Sequence, residues 1–192
     1  MIFCCDIDGV LADFVKGFYT TASHVLEKPV PIITTTQHKA WNEFAGLSEE
    51  EVSHVWKAIK ESTSFWLLLD SLVARSVFDK LNKLSITDAV YFVTIRPGKM
   101  VMDQTWRWLH LRGIYQPNVI VTEEKGFIAK GLKATHMLDD KPQNLENVLY
   151  HSPATKCFIL SQPSNHAFSD PRIIRVNSAE EFFIQVTDLS AT

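Results

Sequence analysis

The chain has little from which to build a disulfide framework. It carries three cysteines, Cys4, Cys5 and Cys157, with no CxxC pair. Cys4 and Cys5 are neighbours on a predicted strand, so their side chains point to opposite faces. They read as buried small hydrophobes in a reducing cytosol. No apolar stretch approaches membrane-spanning length, and no basic region with a long apolar segment marks a signal peptide. The expectation is a cytoplasmic protein with no membrane partner. A formal net charge of -3 supplies no general attraction to nucleic acid, so none is expected as a partner. The seven histidines show no HxxxH or HExxH spacing, which argues against a zinc site. Repeats and low-complexity segments are also missing.

What is present is a series of short apolar runs. Met1 to Cys5 is apolar without alternation, as in a parallel strand covered on both faces. "AVYFVT" (89–94), "NVIVT" (118–122), "THMLDD" (135–140), "KCFIL" (156–160) and "IIRV" (173–176) read as further strands. Helical patterns fall between several of them, at 76–84, 98–113, 125–134 and 177–186, the last opened by Ser178 and Glu181 as a capping box. Such alternation implies a parallel, three-layer α/β sheet of Rossmann type. With 192 residues the chain fits one domain carrying a small insert. The insert falls after the first strand, where "KPVPIITTT" (28–36) is a Pro-marked loop. "LSEEEVSHVWKAIKES" (47–62) is an amphipathic helix with Ser48 and Glu51 as its capping box. The expected division is a core of residues 1–14 and 72–192 with a helical cap over 15–71.

"CCDIDGVLADF" (4–14) ends the first strand with two acids one residue apart. Open α/β sheets bind ligands at the carboxyl ends of their strands. At that rim the sequence places Asp6 and Asp8, Thr94, Asp139 and Asp140, with Lys125 where the third strand gives way to a helix. Converging carboxylates repel one another unless a cation joins them. Mg²⁺ takes one or two carboxylates, waters and a phosphate oxygen. An Asp can then attack phosphorus, a second can protonate the leaving oxygen, and a Thr and a Lys can hold the phosphoryl group.

"DIDGVLADF", a strand ending in Thr94, a lysine opening a helix and "MLDDKP" occur in the order of the four motifs of the haloacid-dehalogenase-like (HAD) phosphatases. Within that superfamily the chain resembles the 5'(3')-deoxyribonucleotidases. The resemblance implies a HAD-like fold and a Mg²⁺-dependent phosphomonoesterase for (deoxy)nucleoside monophosphates, working through an aspartyl-phosphate. It implies Asp6 as nucleophile and Asp8 as acid/base. Thr94 and Lys125 would bind phosphate. Mg²⁺ would lie among Asp6, the Asp8 carbonyl and Asp139, with Asp140 acting through water. Ile95 follows Thr94, so its backbone N–H and the neighbouring Arg96 are candidates for the substrate. Lys130 and Lys133 compete with Lys125 as the phosphate lysine; Lys125 is preferred because it opens the helix.

Phe14, Phe18, Trp41, Phe65 and Trp66 flank or lie in the insert and could stack on a nucleobase. The bland alternative is that they form the insert's own small core, although Phe14 matches the deoxyribonucleotidase motif. Three other readings stay open: a phosphatase for sugar phosphates or polynucleotide ends, a phospho-signalling receiver domain, and an inactive nucleotide-binding protein. A homodimer is compatible with all of them.

Overall fold

The computed structural model describes residues 1–32 and 46–188. Six strands, β1 (Ile2–Cys5), β2 (Ala89–Thr94), β3 (Asn118–Val121), β4 (His136–Asp139), β5 (Lys156–Leu160) and β6 (Ile173–Val176), form one sheet in the order β3-β2-β1-β4-β5-β6. Every pairing is parallel. The apolar runs explain this, since side chains on both faces find cover. The strand order reverses direction between β1 and β4, which is where such sheets open a crevice. It also separates the fold from receiver domains, whose order is 2-1-3-4-5.

Between the strands lie α3 (Arg75–Thr87), α4 (Val101–Leu111), α5 (Lys125–Leu132), α6 (Pro142–His151) and α7 (Ala179–Asp188); α1 (Phe14–Val25) and α2 (Glu49–Glu61) precede them. One apolar cluster, with Cys5, Phe92 and Phe158 on the sheet, packs against α3, α4 and α7. The other, with Cys4, Val93 and Cys157, packs against α5 and α6. Cys4 and Cys5 therefore serve opposite faces, as strand alternation requires. All three cysteines are free and buried, and burial pushes the Cys4 and Cys157 thiols up to about 12.

The capping box expected at α2 forms in full, and the one expected at α7 forms only in its Ser178 half. Ser48 Oγ accepts from the Glu51 N–H at 3.2 Å, and Glu51 returns a bond to the Ser48 N–H at 2.8 Å. At α7, Ser178 Oγ accepts from the Glu181 N–H, while Glu181 reaches back to the Asn177 N–H. Two helices were not expected. In α1, the Asp13 carboxylate accepts from the Lys16 N–H as N-cap, and α6 opens on Pro142.

The segment between β1 and α3 contains no strand among its described residues. Its two ends are tied together: the Asp13 N–H donates to Asp70 O at 2.9 Å and the Leu72 N–H to Leu11 O at 2.8 Å. Ala12 and Ser71 form an antiparallel bridge.

Candidate active site

The β1–β4 ladder continues one step past Cys5, through an Asp6 N–H to Leu138 O bond of 2.9 Å. That step brings Asp6 beside the end of β4. Oxygens of Asp6, Asp139 and Asp140 then lie within 4.8 Å of one another. Gly9 lets the turn after Asp6 pass close over this cluster. Its φ is +84°, and a Cβ there would meet Asp140 Oδ2 at 2.2 Å, so no larger residue fits.

The Lys125 ammonium enters the cluster from the first turn of α5, 2.7 Å from Asp139 Oδ2 and 2.9 Å from Asp6 Oδ1. It is 2% exposed. Burial alone would lower its pKa, but the Asp139 and Asp6 carboxylates outweigh that and raise it. Lys130 and Lys133, its rivals in the sequence, line a cavity elsewhere.

Burial pushes the Asp6 carboxyl up to about 7; Asp139 and Asp8 add to the rise, and Lys125 opposes it. Burial, then the Asp139 and Asp6 carboxylates, carry Asp140 well above the ordinary carboxylate range, against the Lys141 and Lys125 charges. Asp139 is the best satisfied of the three. Besides Lys125 it accepts from the Lys141 N–H at 2.9 Å and from Asn144 Nδ2, 3.0 Å from each of its oxygens.

Asp6 Oδ1 and Asp140 Oδ1 are buried without a hydrogen-bond partner; the Lys125 contact to Asp6 is close but poorly aligned. Buried carboxylate oxygens left in this state call for a donor or an ion. Three clustered acids facing the Lys125 and Lys141 ammonium groups suit a hard divalent cation with oxygen ligands. The residues present therefore fit Mg²⁺.

The carboxylate of Asp8 lies outside this trio. Arg96 grips it with a two-pronged fork, Nε to Oδ2 and Nη2 to Oδ1, both 2.8 Å, and Thr94 Oγ1 donates to Oδ2 at 3.0 Å. The third guanidinium nitrogen, Nη1, donates to Thr105 Oγ1, and the group lies 5.0 Å from the centre of the Trp66 ring. Three of the five Arg96 N–H donors are thus engaged by Asp8 and Thr105 in this arrangement. Ile95 is half-buried beside Thr94.

The aromatic candidates among the described residues lie in the core. Phe14, Phe18, Phe65 and Trp66 are all buried and belong to the larger apolar cluster. Phe14 is near-parallel to Trp56 and to Trp66, with ring centres 5.6 and 5.8 Å away. Trp41 lies outside the described residues.

Other contributors give no sequence signal, because their role depends on long-range contact. Asn144 holds Asp139 from α6. Asn165 Nδ2 donates to both Asp140 O and Leu160 O at 2.7 Å, fixing the backbone after β4. Gln162 donates to Gly9 O at 2.8 Å and steadies the turn after β1.

An all-parallel sheet of this order, with acids and a buried lysine at its switch point, defines a doubly wound α/β protein with its site at the strand ends. Solved structures agree on the fold. A haloacid dehalogenase-like family hydrolase from Xanthomonas campestris aligns at TM-score 0.59 and 13% identity, covering 100% of this chain and 96% of its own. A putative haloacid dehalogenase-like hydrolase from Burkholderia xenovorans LB400 aligns at 0.64 and 10%, covering 97% and 96%. A HAD hydrolase of family IA, variant 3, from Entamoeba histolytica HM-1:IMSS aligns at 0.55 and 12%, covering 100% and 99%. No curated protein matches the chain. The family model for 5' nucleotidase, deoxy (pyrimidine), cytosolic type C protein (NT5C) matches residues 1–188. The chain belongs to that family and is a phosphatase of nucleotidase type. Among the described residues no helix is long and apolar enough to cross a membrane.

Proposed function

We propose that the chain is a Mg²⁺-dependent phosphomonoesterase that hydrolyses (deoxy)nucleoside monophosphates through an aspartyl-phosphate on Asp6. The observation that carries the reading is the trio Asp6, Asp139 and Asp140, clustered within 4.8 Å, with the buried Asp140 Oδ1 lacking a hydrogen-bond partner. Asp6 and Asp139, with the Asp8 carbonyl, would hold the ion, and Asp140 would support it through water. Bound there, Mg²⁺ supplies charge neutralisation that lets a phosphate approach carboxylates.

Asp6 attacks phosphorus, and the ester oxygen departs with a proton from Asp8. Water activated by Asp8 then cleaves the acyl phosphate and regenerates Asp6. Lys125 stabilises the charge on the transferring group. In the observed arrangement Asp8 is held by Arg96 and Thr94, so it serves as acid only after leaving that fork. Residues 15–71 act as the cap from which nucleoside preference arises. Its contact with the rim at Lys99 N–H to Lys60 O, 3.0 Å, supports this.

The test is phosphate release across nucleoside monophosphates, sugar phosphates and an aryl phosphate, with Mg²⁺ and with chelator. Mg²⁺-dependent turnover highest on a nucleotide is expected, with Asp6→Asn inactive yet folded. Full activity in chelator, or in Asp6→Asn, would overturn the mechanism. Equal turnover on all esters would remove the nucleotide assignment.

A further inference from the structure

Gln104 stands on α4, fully buried and apart from the acid cluster. Its Oε1 accepts from the Trp66 N–H at 2.9 Å, and its Nε2 donates to Ser62 O at 3.1 Å and to Lys99 O at 2.8 Å. A buried amide with its oxygen and both N–H groups engaged is costly to disturb. Ser62 and Trp66 belong to the insert, whereas Lys99 lies in the loop after β2. One side chain staples the two together.

Further contacts tighten the same seam and lead to Arg96. Trp66 Nε1 donates to Pro97 O at 3.2 Å, and the Lys99 N–H donates to Lys60 O. Arg96 sits just before Pro97 with its side chain 0% exposed. The Trp66 ring lies against its guanidinium, and Thr105, the residue after Gln104, accepts from Nη1. Nε and Nη2 form the fork on Asp8. The insert and α4 therefore fix the arginine, and the arginine fixes the carboxylate that the proposed reaction needs as its acid.

We propose that Gln104, Trp66 and Arg96 are positioning residues through which the seating of the insert sets where Asp8 stands. This rests on the reading of Asp8 as acid/base given above. Asp8 is two residues from Asp6, and a buried carboxylate without a counter-ion of its own turns toward the ammonium groups of the acid cluster. The fork keeps it apart, in one geometry. A proton donor must come within hydrogen-bond reach of the leaving oxygen, and misplacement by about 1 Å can cost about 10²-fold.

Aryl phosphates of graded leaving-group acidity are the probe, because they differ in their need for a proton and carry no nucleoside. For the full chain with saturating Mg²⁺, log kcat/KM is plotted against the acidity of the departing phenol. That quantity reports the steps up to leaving-group departure, so later hydrolysis of the acyl phosphate does not enter. Arg96→Lys, Gln104→Met and Trp66→Phe should each steepen the slope. The poorest leaving group should lose about tenfold more than the best, part of the roughly 10²–10⁴-fold that a positioned acid supplies. Asp8→Asn should steepen it further, and adding any of the three changes to Asp8→Asn should alter the slope no more. Circular dichroism identifies the variants that fold; Trp66→Phe, which keeps a ring against Arg96, is the mildest. An unchanged slope in the folded variants, with every ester slowed alike or not at all, overturns the proposal while a steep Asp8→Asn slope leaves the acid in place. An unchanged slope in Asp8→Asn overturns the acid assignment itself and the positioning role with it.

Discussion

Asp6 and Asp8 stand two residues apart and meet opposite environments. Asp6 faces other acids, and its carboxyl rises from 3.8 to about 7. An acid whose pKa is higher folded than unfolded binds its proton more tightly in the folded state. Its contribution to stability is therefore lost as pH rises from the unfolded value through the folded one. Asp140 shifts in the same direction. Metal-free protein should melt at falling temperature as pH rises from about 5 to about 7, and the stabilisation by Mg²⁺ should grow over the same window. Thermal melts with chelator and with Mg²⁺ check this; a Mg²⁺ effect independent of pH would contradict it. Asp8 instead depends on Arg96. Arg96→Met leaves a buried carboxylate without its fork and should cost ~3–5 kcal/mol. Adding Asp8→Asn should recover part of that loss, so a double-mutant cycle in urea should show strong coupling.

The acids were legible in the sequence because a strand end fixes where its last residues point. Asp6, Asp139 and the lysine at the start of α5 could be placed from pattern alone. The Arg96 fork could not. It depends on the side-chain direction of a loop residue 88 positions from Asp8, and nothing local encodes that. The neighbours of the aromatics were not legible for a related reason, since composition marks an aromatic as apolar but not which ring covers which.

At the scale of elements, periodicity served where one face of a helix is plainly apolar, as in α2 with Val52, Val55 and Ile59 buried. It missed α1, whose "FVKGFYTTASHV" mixes glycine and β-branched residues that lower helix propensity; packing of Phe14, Phe18 and Tyr19 decides the matter instead. The seam between α2 and the loop after β2 joins the insert to the loop that carries Arg96. Gly98 has φ +121°, and a Cβ there would come 2.7 Å from Lys60 O. Both strain and clash oppose any larger residue. Gly98→Ala should push the loop carrying Arg96 off α2, lowering kcat severalfold and the melting temperature together. Wild-type values for both would show that the seam is slack.

For the whole molecule, the larger apolar cluster ignores the expected boundary between core and insert. It joins Phe14 and Phe18 of α1 and Val55 of α2 to Phe3, Phe92 and Phe158 of the sheet. Shared burial couples unfolding. Urea denaturation followed by tryptophan fluorescence, which senses Trp56 and Trp66 in the insert and Trp108 in α4, should coincide with loss of helix by circular dichroism. An earlier fluorescence transition would show the insert melting alone.

The paired crossing at Ala12 and Ser71 has a further implication for how such chains diversify. The strand-end chemistry is completed by residues on the far side of that crossing from the insert, and the two passages lie about one strand spacing, ~4.8 Å, apart. Whatever is sewn between them needs only ends that meet at that separation and an apolar underside to replace Phe18, Val55 and Trp66. A graft exchanging residues 13–70 for a different helical segment with matched ends would then alter the choice of ester while leaving the hydrolytic apparatus in place. Substrate range and reaction type can drift separately where the replacement keeps that apolar underside, because the chain leaves and re-enters the core at a single crossing.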